Sequence, residues 1–308
     1  MVNNGVFGTL FCIQHTLSKD VYAAKHVKNN RVAMKKEAEI LYKLRNESAI
    51  VSFFGIYEAP SQSIIVMDFL VGGDLVERTA SPDFILNEAK CKSYIRQICQ
   101  GLAHIHACKV VHLDLKPFSI VFTRREDDSL LKITDFSLAR WIPPERQVRI
   151  EEMIGSLEFI SPEVLECTYA TTATDCWGVG VISYMLITGG KSPFYGGNRF
   201  RTMAKILTAN YQLDIPDLKH ISDEAKEFIQ DLLVQNPGDR MSAKACLEHP
   251  WLTSDADYVD ILYTLETSWM KQLLARRRWQ RWYNAVRAMQ RIRKFSAAGK
   301  SLIEMDQK

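Results

Sequence analysis

Apolar positions along the 308-residue chain change their period several times, and each change marks an element. Residues 5–27 predict two strands, one opened by Gly5-Val6-Phe7-Gly8-Thr9-Leu10 and one formed by Val21-Tyr22-Ala23-Ala24-Lys25-His26-Val27. Residues 32–45 predict a helix with Ala38, Leu41 and Leu44 on one side, and 50–57 and 63–67 predict two more strands. Tyr94, Ile98, Leu102 and Ile105 recur at threes and fours, so 87–107 predicts a long helix with Asn87 as its cap and Glu88 in its first turn. Two short strands, 120–122 and 130–133, flank a charged hairpin at 124–129. Residues 175–188 form an apolar helix suited to the centre of a lobe. Residues 222–234 form an amphipathic one, with Ala225, Phe228, Ile229, Leu232 and Leu233 on a shared face.

The last helix expected covers 270–295. Trp279, Trp282, Tyr283, Val286, Met289 and Ile292 fall on one face, while Arg276, Arg277, Arg278, Arg281, Arg287, Arg291 and Arg293 cover much of the rest. Net charge sharpens this. The total is +3, but 267–303 holds ten Lys/Arg and no Asp/Glu, which leaves the remainder at −7. A basic tail on an acidic body suggests docking on that body or on an acidic partner.

The length suits two domains or one large bilobed unit. Hydrophobic content of 47% and charge of 24% fit a soluble globular protein. No apolar run is long enough to span a bilayer, and 1–5 lacks the features of a secretory signal. Seven singly spaced cysteines show no metal-ligand pairing and fit reduced cytosolic thiols. The expected setting is cytoplasmic.

The chemistry concentrates in His112-Leu113-Asp114-Leu115-Lys116-Pro117 and Ile133-Thr134-Asp135-Phe136-Ser137. The two hairpin strands between them would hold Asp114 and Asp135 at the mouth of one cleft. One carboxylate can orient and deprotonate a hydroxyl, and the other can hold a divalent metal on a polyphosphate. Phosphoryl transfer needs that division, because its catalysis is mostly positioning and charge neutralisation.

His-x-Asp-x-Lys-Pro, Asp-Phe and Ser161-Pro162-Glu163, with Lys25 upstream and Asp175-x-Trp177 downstream, resemble the protein-kinase signatures in their order. Lys116 gives the loop its serine/threonine form. The resemblance spans roughly residues 3–252. It implies an α+β, bilobed kinase fold over 1–252: a small β-rich N-lobe at about 1–67, with its first strand cut short, and a larger helical C-lobe at about 68–252. A regulatory tail follows at 253–308. The short first strand suggests a fragment, a short isoform or an incomplete gene model.

ATP with Mg2+ or Mn2+ is the implied cofactor pair. Asp114 and Lys116 would be catalytic. Gly5 and Gly8 would line the phosphate loop, although Asn3 stands where a further glycine is expected. Lys25 would contact the α- and β-phosphates and pair with Glu37, with Glu39 as competitor; the interval from Lys25 to Glu37 is slightly short for the family. Met67, Asp68 and Leu70 would form the adenine hinge, largely through backbone groups. Asp74 would meet the ribose or a basic substrate residue, or simply cap a helix. Asp135 would hold metal, with Ser119 at the second metal position. Asp175 is expected to bond the catalytic-loop backbone, Ser156 to contact that loop, His112 to bond backbone, and Glu163 to pair with Arg240.

Four departures stand out. Leu113 replaces the arginine that receives a phosphorylated activation loop, so loop phosphorylation should not be the switch. Ser119 replaces the metal-binding Asn, Phe118 replaces a Glu, and Ser137 replaces the Gly of Asp-Phe-Gly. A serine hydroxyl is a poorer ligand than an amide carbonyl for a hard cation, and Ser137 restricts φ where glycine would let the loop swing.

His-Leu-Asp-Leu-Lys-Pro with Phe159-Ile160-Ser161-Pro162-Glu163 is similar to the myosin light chain, titin-like and death-associated kinases, and the tail looks nearest to myosin light chain kinase. That implies an overlapping autoinhibitory and Ca2+/calmodulin-binding helix, with Trp279, Tyr283, Val286, Ile292, Arg276, Arg277 and Arg278 in contact with calmodulin. Trp279 and Ile292 are thirteen residues apart, about 20 Å of helix, which suits two closing lobes. A membrane-surface or nucleic-acid helix has similar composition; position after a kinase-like domain favours calmodulin, with no nucleic acid and no membrane span. The expectation is a monomeric calmodulin-regulated serine/threonine kinase acting near basic residues, on a contractile or cytoskeletal substrate such as myosin light chain. A pseudokinase scaffold is the alternative, and a pure binding module centred on the tail is the third reading.

Overall fold

The computed structural model describes residues 3–5, 8–27, 31–59, 62–126, 129–143, 147–254 and 263–280. Five strands form the N-terminal sheet: β1 (Asn3–Gly5), β2 (Gly8–Gln14), β3 (Val21–Val27), β4 (Phe53–Ala59) and β5 (Gln62–Asp68). All neighbours are antiparallel, in the order β1-β2-β3-β5-β4. Helix α1 (Arg31–Leu44) packs on β4 and β5 and buries Met34, Glu37, Ala38, Ile40, Leu41 and Leu44. Strand alternation places Lys25 on the same side of β3 as buried Ala23, opposite buried Ile65 of β5. A cation on the inner face of a central strand must find counterions there.

Helix α2 (Leu75–Thr79) and helix α3 (Glu88–Ala107) begin the larger lobe. The helix Thr172–Ile187 is apolar all round, and fourteen of its residues are buried, so it is the lobe's central element. The amphipathic Asp223–Leu232 lays Ala225, Phe228, Ile229 and Leu232 into the same core. The hairpin Ile120–Phe122 with Leu131–Ile133 joins the lobes: Ile133 N donates to Ala49 O at 2.8 Å, and Val51 N donates to Ile133 O at 3.1 Å. The chain after β5 crosses this hairpin at Gly72, whose N–H donates to Phe122 O at 3.1 Å. A Cβ at Gly72 would lie 2.0 Å from Arg124 O, so only glycine fits.

Leu113 stands in a separate apolar cluster with Val111, Leu138, Ile150, Ile160, Val164 and Ala170. Its φ of 66° costs roughly 1–2 kcal/mol for a residue with a Cβ. Burying its side chain returns roughly 1.5–3 kcal/mol, enough to keep the conformation. The cluster and the pairing of Val148–Arg149 with Tyr169–Ala170 hold the segment after Asp135 by packing and backbone bonds, at the place where the family resemblance leads one to expect an arginine.

Packing continues past residue 252. Leu265, Met270 and Leu274 are buried in the main core. Leu265 N donates to Leu86 O at 2.8 Å and Met270 N to Gly189 O at 2.9 Å. Gly189 has φ +65°, and a Cβ there would sit 1.5 Å from Glu266 O, so the tail lies directly on this turn. The tail helix is described over 268–280. The remainder of the expected 270–295 helix, including Tyr283, Val286 and Ile292, lies outside the described residues.

Candidate active site

The first cluster forms where β3, α1 and the segment after Leu131–Ile133 converge. Lys25 Nζ donates to Glu37 Oε1 at 2.6 Å, to Asp135 Oδ1 at 3.3 Å and to Ser137 Oγ at 2.5 Å. Glu37 is 5% exposed, on the face of α1 that carries Leu41 and Leu44, while Glu39 is exposed; the helical period thus selects Glu37 as the lysine's partner. Burial works against the Lys25 ammonium, but Glu37 and Asp135 outweigh it and hold its pKa above the usual value. Burial pushes Glu37 upward against the pull of Lys25. Burial also works against Asp135, yet Lys25 and the Ser137 hydroxyl bring its carboxyl down to about 2. Asp135 has φ 65°, which an aspartate tolerates better than most residues. Ser137 sits in the single turn Phe136–Leu138, so the left-handed residue is Asp135 and not the serine.

The second cluster is the catalytic-type loop. Its backbone is pinned by Asp175, which accepts from His112 N at 2.8 Å and Leu113 N at 2.9 Å. His106 Nε2 lies 2.9 Å from the same carboxylate. The ring of His112 meets Thr134 O at 3.0 Å, tying the loop to the strand before Asp135. On this frame Lys116 Nζ bonds Asp114 Oδ2 and reaches Ser156 Oγ at 3.2 Å, and Ser156 Oγ donates to Asp114 Oδ1 at 3.4 Å. Ser119 is 1% exposed, and its hydroxyl accepts from Lys116 N at 3.1 Å and donates to Lys116 O at 2.9 Å. The serine therefore closes its own loop. Asp135, with its side chain 42% exposed, is the carboxylate open to a cation.

Met67, Asp68 and Leu70 follow one another at the hinge. Asp68 spends its carboxylate on Ser52 N at 3.1 Å and Lys132 Nζ at 3.0 Å, a bridge between the lobes. Gly5 and Gly8 are directly paired across β1 and β2. Asp74 caps α2 by accepting from Glu77 N at 2.9 Å, in a capping box with Glu77. Its other oxygen takes the guanidinium of Arg277 from the tail helix. Arg277 also lies 3.9 Å from Glu77 and 4.3 Å over the ring of Phe118. Burial raises the Asp74 carboxyl, and Arg277 pulls it back. Burial likewise raises Glu158, opposed by Arg276. Arg276, Arg278 and Trp279 are exposed, Trp279 to 60%.

Glu163 and Arg240 form the expected buried bridge, at 3.1 and 3.2 Å through two nitrogens. Sequence reasoning missed three groups: Glu77, signalled by Asp74-x-x-Glu77; His106 on Asp175; and Phe118 as a platform for an arginine. Among the described residues no group of three or more His, Cys, Asp or Glu is arranged to hold a metal ion by itself. That donor set fits a cation held by one carboxylate together with substrate phosphates, the usual manner of Mg2+.

The protein kinase domain model matches residues 2–252. Skeletal/cardiac myosin light chain kinase 2 of Oryctolagus cuniculus is 34% identical over 304 residues, which cover 97% of this chain and 49% of that protein. A death-associated protein kinase of Caenorhabditis elegans is 32% identical over 308 residues, covering 96% and 21%. The autoinhibited serine kinase domain of the giant muscle protein titin superposes with a TM-score of 0.79 at 32% identity, covering 87% of this chain and 83% of that one. The chain spans about half the length of the skeletal/cardiac muscle kinases it matches.

Proposed function

The chain belongs to the protein kinase family, as a serine/threonine kinase of the myosin light chain, titin and death-associated type, and from that premise we propose that it transfers the γ-phosphoryl group of ATP to a Ser or Thr hydroxyl under control of Ca2+/calmodulin. The observation that carries this reading is a complete Lys25–Glu37–Asp135 set beside the Asp114–Lys116–Ser156 set, with a tail arginine seated on Asp74.

Asp114 accepts the hydroxyl proton and aims the attacking oxygen, while Lys116 steadies that carboxylate and faces the transferred group. Lys25, kept protonated by its carboxylates, meets the polyphosphate, and the hinge backbone around Met67–Leu70 takes the base. Asp135 would hold Mg2+ together with the nucleotide, and the cation would supply neutralisation of the polyphosphate charge. The alternative, a nucleotide-binding pseudokinase scaffold, draws its support from Ser119 being spent inside its loop.

The tail supplies the control. With Met270 and Leu274 buried, Arg277 is held at the mouth of the cleft, where a substrate's basic residue would sit. Trp279, on the same helix, is exposed, and an apolar groove of calmodulin would take it. Calmodulin would compete the helix away, shifting the chain between two bound states. The rabbit relative's name suggests myosin light chain as substrate, in a cytoplasmic, cytoskeleton-associated setting. Phosphorylation of a basic Ser/Thr peptide by the whole chain, in calcium-loaded calmodulin and in EGTA, tests the reading. Equal rates in the two conditions would remove the calmodulin control.

A further inference from the structure

Ser137 carries a hydroxyl that the proposed reaction does not use. It accepts from Lys25 Nζ at 2.5 Å and donates to Asp135 Oδ1 at 2.6 Å. An ammonium has three donors. Those of Lys25 go to Glu37, Asp135 and Ser137. The single proton of the serine goes to Asp135. Oδ1 of Asp135 thus receives two donors, and every hydrogen bond described for this carboxylate falls on that oxygen. The side chain is nevertheless 42% exposed, so Oδ2 is the face it offers.

A carboxylate serves two cations most readily with both oxygens open, and a further protein ligand strengthens the second site. Here one oxygen is engaged. The candidate helper, Ser119, is 1% exposed with its hydroxyl bonded to the backbone of Lys116 on both sides. Resting on the phosphotransfer reading, we propose that Ser137 is a positioning residue: it reserves Oδ1 of Asp135 for the lysine side and leaves Oδ2 alone for metal. The chain then takes one divalent cation with ATP rather than two. A hydroxyl that merely fills space would leave the metal count unaltered on removal, which separates a positioning role from a packing one.

The measurement is the number of Mn2+ ions bound by the whole chain, counted by electron paramagnetic resonance at saturating non-hydrolysable ATP analogue. The wild type binds one equivalent. Ser137→Ala removes one of the two donors on Oδ1, leaving only the 3.3 Å contact from Lys25, and binds a second, at least tenfold tighter than any second site of the wild type. Ser137→Thr keeps the hydroxyl and behaves as the wild type. Two comparable equivalents in the wild type, or identical counts in wild type and Ser137→Ala, would overturn the proposal. Phosphotransfer assayed on the same samples keeps the two readings apart. Transfer with an unaltered metal count overturns only the role of Ser137, whereas absence of metal, nucleotide binding and transfer overturns the kinase reading as well.

Discussion

Replacing Arg277 with alanine should switch the chain partly on without calcium. The guanidinium is 20% exposed and bonded to Asp74, whose side chain is 6% exposed. A hydrogen bond between charged groups contributes roughly 1.5–3 kcal/mol, and the stacking on Phe118 roughly 0.5–1 kcal/mol. Part of this is offset, because Asp74 keeps its capping bond from Glu77 N and regains water when the tail leaves. A net loss of roughly 1–3 kcal/mol remains, which moves the closed-to-open ratio about 5- to 150-fold. Leu265, Met270 and Leu274 stay buried, so the tail remains attached while its outer turns are released. The assay is phosphorylation of a basic Ser/Thr peptide in EGTA. Arg277→Ala should raise the basal rate at least fivefold, whereas exposed Arg278→Ala should change it less than about twofold. An unchanged basal rate in Arg277→Ala, or an equal rise in both variants, would refute the reasoning.

Trp279→Ala should weaken calcium-dependent calmodulin binding of the whole chain by about 2 kcal/mol or more, as loss of an aromatic anchor does, and calorimetric titration would read it; an unaltered affinity moves the anchor elsewhere. Arg240→Ala should cost roughly 3–5 kcal/mol in urea unfolding, because it strands Glu163 in the interior; a cost under about 1 kcal/mol would mean that the site relaxes. Asp135 has a folded pKa of about 2 against 3.8, so its stabilisation is present above 3.8 and is lost as pH falls through about 2. With the side chain 42% exposed, screening reduces this to about 1 kcal/mol. The urea midpoint of the wild type should therefore exceed that of Asp135→Asn near neutrality and converge with it in acid; a gap that persists below pH 2 contradicts the ion pairing.

Much of the site could be read from the chain because it depends on local period and charge. The helical face that buries Leu41 and Leu44 also buries Glu37, and an acid in the first turn of an apolar helix, Asp175, is well placed to pin the loop beneath it. Glu163 and Arg240 are charges in apolar surroundings and so have to meet. What escaped the sequence depends on contacts between distant segments. Arg277 meets Asp74 across 203 positions, and only the docking of 263–274 on Leu86 and Gly189 brings them together. In sequence, Gly189-Gly190 is a turn; its role as a seat for the tail shows only when Glu266 O is seen to occupy the place of a Gly189 Cβ. Ser119 and Ser137 read as substitutions in a metal site. Their hydroxyls instead turn to backbone and to Lys25, a rotamer outcome that composition does not encode.

The most direct test is transfer of labelled γ-phosphate from ATP to a basic Ser/Thr peptide, comparing the whole chain with calcium-loaded calmodulin, the chain ended after Leu274, and Asp114→Ala. The account predicts low transfer by the whole chain in EGTA and a marked rise with calmodulin. The shortened chain, which keeps its buried anchors, should be as fast without calmodulin, and Asp114→Ala should transfer nothing while still binding nucleotide. Absence of transfer by both the calmodulin-bound and the shortened chain would contradict the account and leave the pseudokinase reading in its place.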